Sequence, residues 1–141
     1  MDEISIRPVR VSDMAFILAN WLNHYKNYSS FALRVPRALF FKYHQQIAKM
    51  ILGRRTSKVL VATSSDDSDL ILGFLVSEET EDGPIIHFLF IQKAFRKLGI
   101  AKALLQAAGI QSSQASFSHW TYDMDEIVKK NPTLVYNPYL I

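Results

Sequence analysis

Apolar residues recur at helical spacing in the first half of the chain. From about Asp13 to Asn27 they return every three or four residues, and Ser12 is placed to cap this first helix. A second helix is predicted from Arg37 to Leu52, because Pro36 suits a first helical turn and Gly53 suits a helix end. The pattern therefore predicts two consecutive amphipathic helices joined by a loop.

Short apolar runs typical of strands lie on both sides of these helices. Alternating apolar and polar residues from Ile4 to Pro8 predict a short strand ahead of the helices. Three apolar runs follow the helices: Val59 to Ala62, Leu70 to Val76 and Ile85 to Ile91. Polar turns at Ser64 to Asp69 and at Glu81 to Gly83 separate them. Parallel neighbours need long crossover connections, so these short turns predict antiparallel pairing.

The last third of the chain begins with a helical segment and becomes less regular. A helix is predicted from Gly99 to Gln111, where Ala, Leu and Lys are frequent. Beyond it we predict a strand at Phe117 to Tyr122, a helix at Met124 to Lys130 and a strand at Thr133 to Tyr136. The element order is β-α-α-β-β-β-α-β-α-β, which predicts the α+β class. One domain spanning residues 1–141 fits this order and this length.

The composition excludes several kinds of site. Hydrophobic residues make up 49% of the 141 residues and charged residues 21%, which is enough to bury a core. The net charge of +3 is too small to favour nucleic acid, although it suits a polyanionic ligand at one basic spot. The absence of cysteine excludes disulfides, thiolate metal sites and a cysteine nucleophile. No metal site is expected, because the histidines have no ligand-like spacing with carboxylates.

Two absent patterns bear on location. No basic segment followed by an apolar stretch opens the chain, so no secretory signal is predicted. No run of about 18 apolar residues is long enough to span a membrane. We therefore expect a cytoplasmic protein without membrane contact, and we leave a homodimer open.

The segment from Arg96 to Ala101 has the clearest chemical meaning, because it lies between a predicted strand and a predicted helix. The first N–H groups of a helix lack internal partners and carry partial positive charge, which makes them an anion site. Gly99 would let a ligand approach the backbone, and Arg96 and Lys97 add positive charge. The alternative is a glycine that merely starts a helix after a loop. By itself the segment leaves both interpretations open.

The surroundings of this segment resemble the GNAT superfamily of N-acetyltransferases. Arg96, Gly99 and Ala101 match its signature of Arg or Gln, two residues, Gly, one residue, then Gly or Ala. Other segments match in the right order between about residues 4 and 110: Ile6-Arg7-Pro8 followed by Asp13, Leu60 to Ala62, Ile71 to Phe74, Phe88 to Ile91 and Ile100 to Leu105. The ending Tyr136 to Tyr139 resembles small phage-encoded GNAT-like proteins.

The resemblance implies a fold and a cosubstrate. The fold would be a mixed, mostly antiparallel sheet flanked by helices, with the fourth and fifth strands splayed apart. Acetyl-CoA would bind in that opening, with its pantetheine arm on the backbone of Leu89, Phe90 and Ile91. Its pyrophosphate would lie over the backbone N–H groups of Lys97, Leu98, Gly99, Ile100 and Ala101, and Arg96 would belong to the same cofactor-binding loop. A backbone N–H near Ile91 would polarise the thioester carbonyl, which an amine would attack directly.

Direct attack needs a neutral amine, so a general base is expected. His87 is the first candidate, because strand alternation places it on the same face as Leu89 and Ile91. An ordinary histidine titrates near pH 6.5, which suits this role. The alternative is a strand histidine that only hydrogen-bonds a neighbour. Glu78 and Glu79 are the second candidates, with a solvated turn as their alternative.

The C-terminal part departs from the family. Many members carry a Tyr on the fourth helix that protonates the leaving thiolate, but none occurs in Met124 to Lys130. Tyr122 precedes this segment and Tyr136 follows it, and either could reach the sulfur. The favoured function is acetyl-CoA-dependent N-acetylation of an unidentified amine, on a small molecule or a protein. The alternative is an inactive GNAT-fold module that binds acyl-CoA or a protein partner.

Overall fold

A computed structural model describes residues 3–111 and 114–141 of the chain. Its strands are β1 (Ile4–Pro8), β2 (Ser57–Ser64), β3 (Asp67–Thr80), β4 (Gly83–Ile91), β5 (Ser116–Phe117) and β6 (Val135–Tyr136). Its α-helices are α1 (Met14–Tyr28), α2 (Ser30–Leu33), α3 (Arg37–Leu52), α4 (Ile100–Ala107) and α5 (Asp123–Lys130). Short 3-10 turns also lie at Val11–Asp13, Lys93–Phe95 and Pro138–Leu140.

Within the described residues, the strands form one mixed sheet in the order β1-β2-β3-β4-β5-β6. Strands β1 to β4 pair antiparallel, as the short turns predicted for the three central runs. Strand β5 pairs parallel with both β4 and β6, because a crossover through α4 brings it back beside β4. The predicted α+β class, with a mixed and mostly antiparallel sheet flanked by helices, is confirmed.

Each face of the sheet is covered by its own helices. Buried residues of α1 and α3 pack on one face with Phe74, Val76, Phe88 and Phe90. Buried residues of α4 and α5 pack on the other face with Leu60, Ala62, Leu72, Leu75 and Ile86. We call these the α1/α3 face and the α4/α5 face. Alternate residues of a strand point to opposite faces, so β4 contributes side chains to both cores.

The start of the first helix differs from the prediction. Ser12 does not cap it, because Val11–Asp13 form a 3-10 turn and α1 begins one residue later. The carboxylate of Asp13 accepts the Arg10 N–H at 2.7 Å. The Arg7 guanidinium donates to the same carboxylate at 2.7 and 2.9 Å and lowers its pKa. This ion pair fastens the helix start to β1, which is a tertiary contact that residue spacing does not reveal.

Three elements in the last third of the chain are shorter than predicted. The helix predicted to reach Gln111 ends at Ala107. The strand predicted over Phe117 to Tyr122 is reduced to the two residues of β5, because the backbone leaves β4 after Phe117. The final strand is likewise reduced to Val135–Tyr136. The irregular path after β5 matters for the site, because it opens the sheet.

Candidate functional site

Strands β4 and β5 separate part-way along β4 and leave a fork in the sheet. They pair only over Ile85–Ile86 and Ser116–Phe117. The Ser118 N–H then donates a last backbone bond to the Ile86 carbonyl at 3.1 Å. From there to Ile91, β4 has no β5 residue beside it among the described residues. This half of β4 therefore has a free edge.

The backbone groups of β4 alternate in direction along this free edge. The Gln92 N–H donates to the Leu72 carbonyl at 2.8 Å, which sets the hydrogen-bonding phase between β3 and β4. In that phase Phe90 turns its N–H and C=O toward β3. Leu89 and Ile91 turn theirs toward the fork. Of the three strand positions that the resemblance singled out, these two direct backbone groups into the opening.

A cleft runs along the fork between β4, α4 and α5. It consists of two adjoining cavities of about 580 and 800 Å³. The residues that line both are Leu89, Ala101, Lys102, Met124, Ile127 and Lys130. Most of these are apolar, and the two lysines are exposed. Such a lining suits a ligand with an apolar arm and an anionic head.

One end of the cleft is formed by the loop before α4. Gly99 directly precedes α4 with a φ of +82°, and Lys97 has a φ of +64°. A Cβ added at Gly99 would meet no atom within 4 Å, so the space in front of it is open. Gly99, Ile100 and Ala101 all line the cleft. The start of α4 thus offers N–H groups without intrahelical partners, together with partial positive charge.

Arg96 braces this loop through contacts within the protein. Its Nε donates to the Ile91 carbonyl at 3.1 Å, and its Nη1 donates to Asp123 Oδ1 at 3.3 Å. The side chain is still 36% exposed. Lys97 and Lys102 are exposed cations that also line this end of the cleft. This end of the cleft therefore combines helix N–H groups with two exposed cations.

Gly73 on β3 lies opposite Ile91 in the sheet. A Cβ built at Gly73 would lie 2.6 Å from the Phe90 carbonyl oxygen and 2.6 Å from Ile91 Cδ1. Such distances are too short for any side chain, so glycine is what allows the two strands to approach here. The close approach positions the backbone of Ile91 at the free edge.

His87 lies on the opposite face of the sheet from the one expected. The register between β3 and β4 shifts by one residue beside it, which makes His87 the extra residue of a β-bulge. The bulge turns His87 toward the α1/α3 face, the face on which Phe88 packs. The prediction that it shares a face with Leu89 and Ile91 is therefore wrong. A bulge interrupts the two-residue period on which that prediction depended.

Glu79 lies far from the free edge of β4. It is exposed and pairs with Pro84 at the beginning of that strand. At about 3.3 Å per residue, this end of β4 is roughly 23 Å from Ile91. Glu79 therefore lies beside a solvated turn, which was the alternative to a catalytic role in the sequence analysis.

Glu78 and His87 belong to a network of buried side chains on the α1/α3 face. Glu78 Oε1 is 2.8 Å from His87 Nε2, and His87 Nδ1 is 2.7 Å from Ser118 Oγ. Ser118 Oγ is 2.8 Å from His119 Nδ1, and His119 Nε2 is 2.8 Å from His44 Nε2. Each of the five residues is at most 9% exposed. We call this set the histidine network.

Burial and hydrogen bonding set the charges within the histidine network. Burial lowers the pKa of His44 to about 4 and the pKa of His119 well below its usual value. Burial also lowers the pKa of His87, partly offset by its hydrogen bond to Glu78. Burial opposes ionisation of Glu78, but hydrogen bonds from its neighbours lower its pKa to about 2. At neutral pH the network therefore holds three neutral imidazoles and one carboxylate.

Sequence reasoning missed Ser118, His119 and His44. His44 and His119 are 75 residues apart in the sequence, so no local spacing links them. One weak signal was available, since His44 falls four residues after Phe40 and four before Ala48 on the apolar stripe of α3. A polar residue on such a stripe needs a buried partner.

Of the two candidate tyrosines, Tyr122 is the one that lines the cleft. It borders the cavity at the end of β4 and is 47% exposed. Tyr136 instead packs against the rings of Phe117 and Trp120, and partial burial raises its pKa. The position relative to the cleft therefore distinguishes Tyr122 from Tyr136, whereas their spacing in the sequence did not.

The start of α5 joins the cleft to α1. Asp123 Oδ2 accepts from His24 Nε2 at 2.8 Å, and the Tyr122 N–H donates to the Tyr28 carbonyl at 2.8 Å. The hydrogen bond from His24 lowers the pKa of Asp123, and Arg96 adds to this effect. We call this line of contacts the α1–α5 seam. It was not anticipated from the sequence, and it borders the cleft near Tyr122.

The donors in the cleft are those that bind phosphate, namely helix N–H groups and cations. Within residues 3–111 and 114–141, no group of three or more His, Asp or Glu side chains is placed to hold a metal ion. In those ranges no helix is both long enough and apolar enough to cross a bilayer.

Known proteins share this fold. The family described as "Acetyltransferase (GNAT) domain" matches residues 25–123. The fold is similar to that of a provisionally assigned acetyl transferase from Pyrococcus furiosus, with a TM-score of 0.68 and 17% identity over 91% of each chain. It is also similar to a GCN5-related N-acetyltransferase from Ralstonia eutropha JMP134, with a TM-score of 0.63 and 14% identity over 91% of this chain and 90% of the other.

A third similar structure is an aminoglycoside antibiotic 6'-N-acetyltransferase from Acinetobacter baumannii. The TM-score is 0.54 and the identity 15%, over 96% of this chain and 92% of the other. No curated protein matches the sequence. At these identities the structural likeness shows the fold, whereas the family match rests on the sequence itself.

Proposed function

This chain belongs to the GNAT acetyltransferase family, and on that premise we propose that it transfers an acetyl group from acetyl-CoA directly to an acceptor amine. Acetyl-CoA-dependent transfer is the general reaction of the family. The observation that carries the proposal is the cleft itself. Its anion site at the start of α4 opens onto the free edge of β4, so one continuous surface suits both ends of the cosubstrate.

The loop before α4 is the proposed site for the pyrophosphate of acetyl-CoA. The N–H groups from Lys97 to Ala101 would bind it, with the open space in front of Gly99 admitting the phosphates. Ile100 is 1% exposed and packs in the core of the α4/α5 face, so it anchors the start of the helix. Arg96 would act mainly by bracing the loop, because its guanidinium already has protein partners.

The free edge of β4 is the proposed site for the pantetheine arm and the thioester. An extended arm can add to a strand edge as a further strand would. Leu89 and Ile91 direct N–H groups into the fork, and either could donate to the thioester oxygen as it becomes negative. Phe90 would hold the strand in place, since its side chain packs in the core of the α1/α3 face.

The transfer also requires two proton movements. The attacking amine must lose a proton, and the sulfur of CoA must gain one. We assign the second role to Tyr122, which lines the cleft. His87 was expected to take the first proton by direct contact. It is only 1% exposed, and Ser118 and Glu78 occupy its two nitrogens, so it can act only through one of these partners.

The acceptor amine would approach from the α1/α3 face, because the cosubstrate would occupy the α4/α5 face. A small-molecule amine and a protein amine are both candidate acceptors. We also propose a cytoplasmic location. The alternative function is a module that binds acyl-CoA without turnover. It was motivated by the missing tyrosine on the fourth helix, and the position of Tyr122 in the cleft weakens that argument.

Two measurements test the proposed function. In a thermal-shift titration, acetyl-CoA and CoA should both raise the melting temperature of the protein saturably. A thiol-release screen over small amines, amino acids and peptide N-termini should then give at least one acceptor faster than hydrolysis. Binding without release for any amine would favour the non-catalytic module. No thermal shift with either compound would contradict the assignment of the cleft.

A further inference from the structure

The histidine network has one direction of hydrogen bonding. Ionised Glu78 can only accept, so His87 donates to it through its Nε2–H. Neutral His87 then accepts at Nδ1, so the Ser118 hydroxyl donates to it. Ser118 accepts in turn from the His119 Nδ1–H, and neutral His119 accepts at Nε2 from the His44 Nε2–H. Each of the other four members therefore donates one hydrogen in the direction of Glu78.

The middle of this network lies at the base of the fork. Ser118 makes the last backbone bond between the separating strands, to the Ile86 carbonyl. His87 is the bulged residue that follows Ile86, and Leu89, whose N–H faces the fork, comes two residues later. Ser118 is thus the member of the network that lies at the base of the fork, where the free edge proposed to bind the thioester begins.

The other end of the network reaches the surface of the protein. Glu78 also accepts from Thr56 at 2.6 Å and from Arg54 at 2.9 Å. The side chain of Arg54 is 27% exposed and that of Glu78 is 10% exposed. A proton that reaches Glu78 can therefore pass to water beside Arg54.

We propose that the histidine network conducts the proton of the acceptor amine from the fork to Glu78, an inference that rests on the proposed acetyl transfer. As the amine nitrogen bonds to the thioester carbon, its proton moves to Ser118 Oγ. At the same time the Ser118 hydroxyl hydrogen moves to His87 Nδ1, and the His87 Nε2 hydrogen moves to Glu78.

The protons and bonds of this step balance. The C–S bond breaks, and the CoA thiolate takes a proton from Tyr122. Glu78 releases its proton to water, and Tyr122 regains one from water. Amine and acetyl-CoA thus give amide and CoA thiol. His87 is left protonated at Nδ1, so return transfers reset the network after the amide leaves: Glu78 takes a proton from water and passes it to His87 Nε2, His87 returns its Nδ1 hydrogen to Ser118 Oγ, and Ser118 releases one to water in the fork. No oxidant, metal or further reactant is needed.

His119 and His44 act as positioning residues. His119 donates to Ser118 Oγ and so directs the hydroxyl hydrogen toward His87, which leaves one oxygen lone pair for the amine proton. His44 holds the tautomer of His119 from α3, where its ring stacks on Phe40 at 5.1 Å. They set the direction in which the hydrogen bonds of the network are donated, and they do not contact the amine.

A buried donor without a partner in the described part of the protein lies beside the network. Trp21 is fully buried, and its Nε1 has no hydrogen-bond partner among the described residues. Its ring lies 5.3 Å from that of His119. A buried donor without a protein partner usually binds water or ligand. Ser118 is itself fully buried, so the amine would reach it by parting the α1–α5 seam or through one ordered water.

Ser118→Ala tests this inference, and Ser77→Ala is its matched control. Both remove a buried serine hydroxyl, but Ser77 Oγ bonds the Lys58 carbonyl outside the network. With an amine from the thiol-release screen, Ser118→Ala should lower kcat about 10²-fold, as loss of a positioned acid or base does. Its acetyl-CoA affinity should stay unchanged. Its activity should recover at high pH, where the amine deprotonates without help.

The solvent deuterium isotope effect on kcat distinguishes a relay from a structural role. We expect a multi-proton effect in the parent and in Ser77→Ala, and a smaller one in Ser118→Ala. Glu78→Gln is a second variant that keeps the side-chain shape and an acceptor oxygen for His87 but cannot take up the proton. It should show the same loss of kcat and of the isotope effect.

A measurement on the unmutated protein completes the test. Nitrogen-15 NMR of the imidazoles at neutral pH should show His87 and His44 protonated at Nε2 and His119 at Nδ1. A protonated or Nδ1–H His87 would overturn the proposal even if the variants fail to fold. Equal kcat in the parent, Ser118→Ala and Glu78→Gln would overturn the relay alone. A parent that binds acetyl-CoA but acetylates no amine would overturn the proposed function, and the relay with it.

Discussion

The cleft and the histidine network lie on opposite faces of β4 and are built from different groups. The cleft depends on backbone: the start of α4, the free edge of β4 and the left-handed Gly99. The histidine network depends on side chains, which are buried and paired end to end from Glu78 to His44. The cleft is open, whereas the network is buried and meets the surface only at its Glu78 end.

This difference predicts how each region responds to substitution. Backbone donors remain when side chains change, so the cleft should be sensitive mainly to groups that fill it or repel phosphate. A linear side-chain network fails at any member, because one deletion interrupts the path and leaves a buried polar neighbour without its partner. Cofactor affinity and turnover should therefore respond to different substitutions.

The largest expected effect is on turnover, from His87→Ala. It should lower kcat by about 10²–10⁴-fold, the range for a positioned acid or base. Acetyl-CoA affinity should barely change, because the cosubstrate would be held by backbone groups on the other face. The pH–rate profile of the parent should show an ascending limb, and that of His87→Ala should lack it. Equal losses of affinity and turnover would instead mark His87 as structural.

The next largest effect is on affinity, from Gly99→Glu. A carboxylate about 4 Å from a phosphate would be repelled by roughly 4 kcal/mol at an effective dielectric of 20, so acetyl-CoA binding should be lost. Gly109→Glu is a matched control, because Gly109 has a φ of +72° and equally open space after the end of α4. Calorimetric titration measures both variants. Unchanged affinity in Gly99→Glu would refute the phosphate loop.

Acid should destabilise the histidine network selectively. Unfolded histidine titrates near pH 6.5, whereas burial lowers the pKa of folded His44 to about 4. Between these values the unfolded state binds a proton that the folded state does not, so stability falls as the pH falls. His44 alone would contribute about 3 kcal/mol, and the lowered pKa values of His87 and His119 act in the same direction.

Urea unfolding between about pH 7 and pH 5 measures this effect. The free energy of unfolding should decrease across the range in the parent. His44→Gln should flatten the slope, since it removes one of the suppressed titrations. A slope that is identical in parent and variant would show that His44 is not held neutral.

A smaller effect, on stability and on the geometry of the cleft, is expected from Gly73→Ala. Gly73→Ala should cost about 1–3 kcal/mol of stability, as overpacking does, because its Cβ would press on the Phe90 carbonyl and Ile91. The displaced edge of β4 should also raise the KM for acetyl-CoA. Gly53→Ala is the control, since a Cβ there would lie no closer than 3.4 Å to its neighbours. Equal stability in the two variants would contradict this account.

The smallest expected effect is that of salt on the affinity of the cleft for acetyl-CoA. Raising the ionic strength from low to physiological should weaken acetyl-CoA binding a few-fold, because Lys97, Lys102 and the start of α4 are screened. Dephospho-CoA should still bind, since the pyrophosphate would make the main contact. An affinity that does not depend on ionic strength would indicate a mainly apolar ligand instead.

The elements of the fold were predictable where the signal is local. The antiparallel order of β2, β3 and β4 followed from two short turns, and the helix after Gly99 followed from its composition. The length of β5 was not predictable, because its end depends on where the backbone leaves β4. The face of His87 was predicted wrongly, because a bulge shifts the alternation by one residue.

The candidate site divides in the same way. The segment from Arg96 to Ala101 carried a local signal, namely a glycine and two cations at a helix start. That signal favoured a phosphate site over a plain helix start only together with the matching segments around it. The choice of Tyr122 over Tyr136, and the contacts of Ser118 and His119, needed the packed structure.

By itself the sequence determined the two long helices, the central strands and the glycine-containing loop before α4, since periodicity, turn residues and helix-start chemistry act over a few neighbouring positions. Only the tertiary structure decided that His44, from one helix, would meet His119 beside the fork 75 residues later. A buried polar side chain is stable only with a partner, and that partner is selected by how the elements pack. The spacing of residues along the chain does not contain that information.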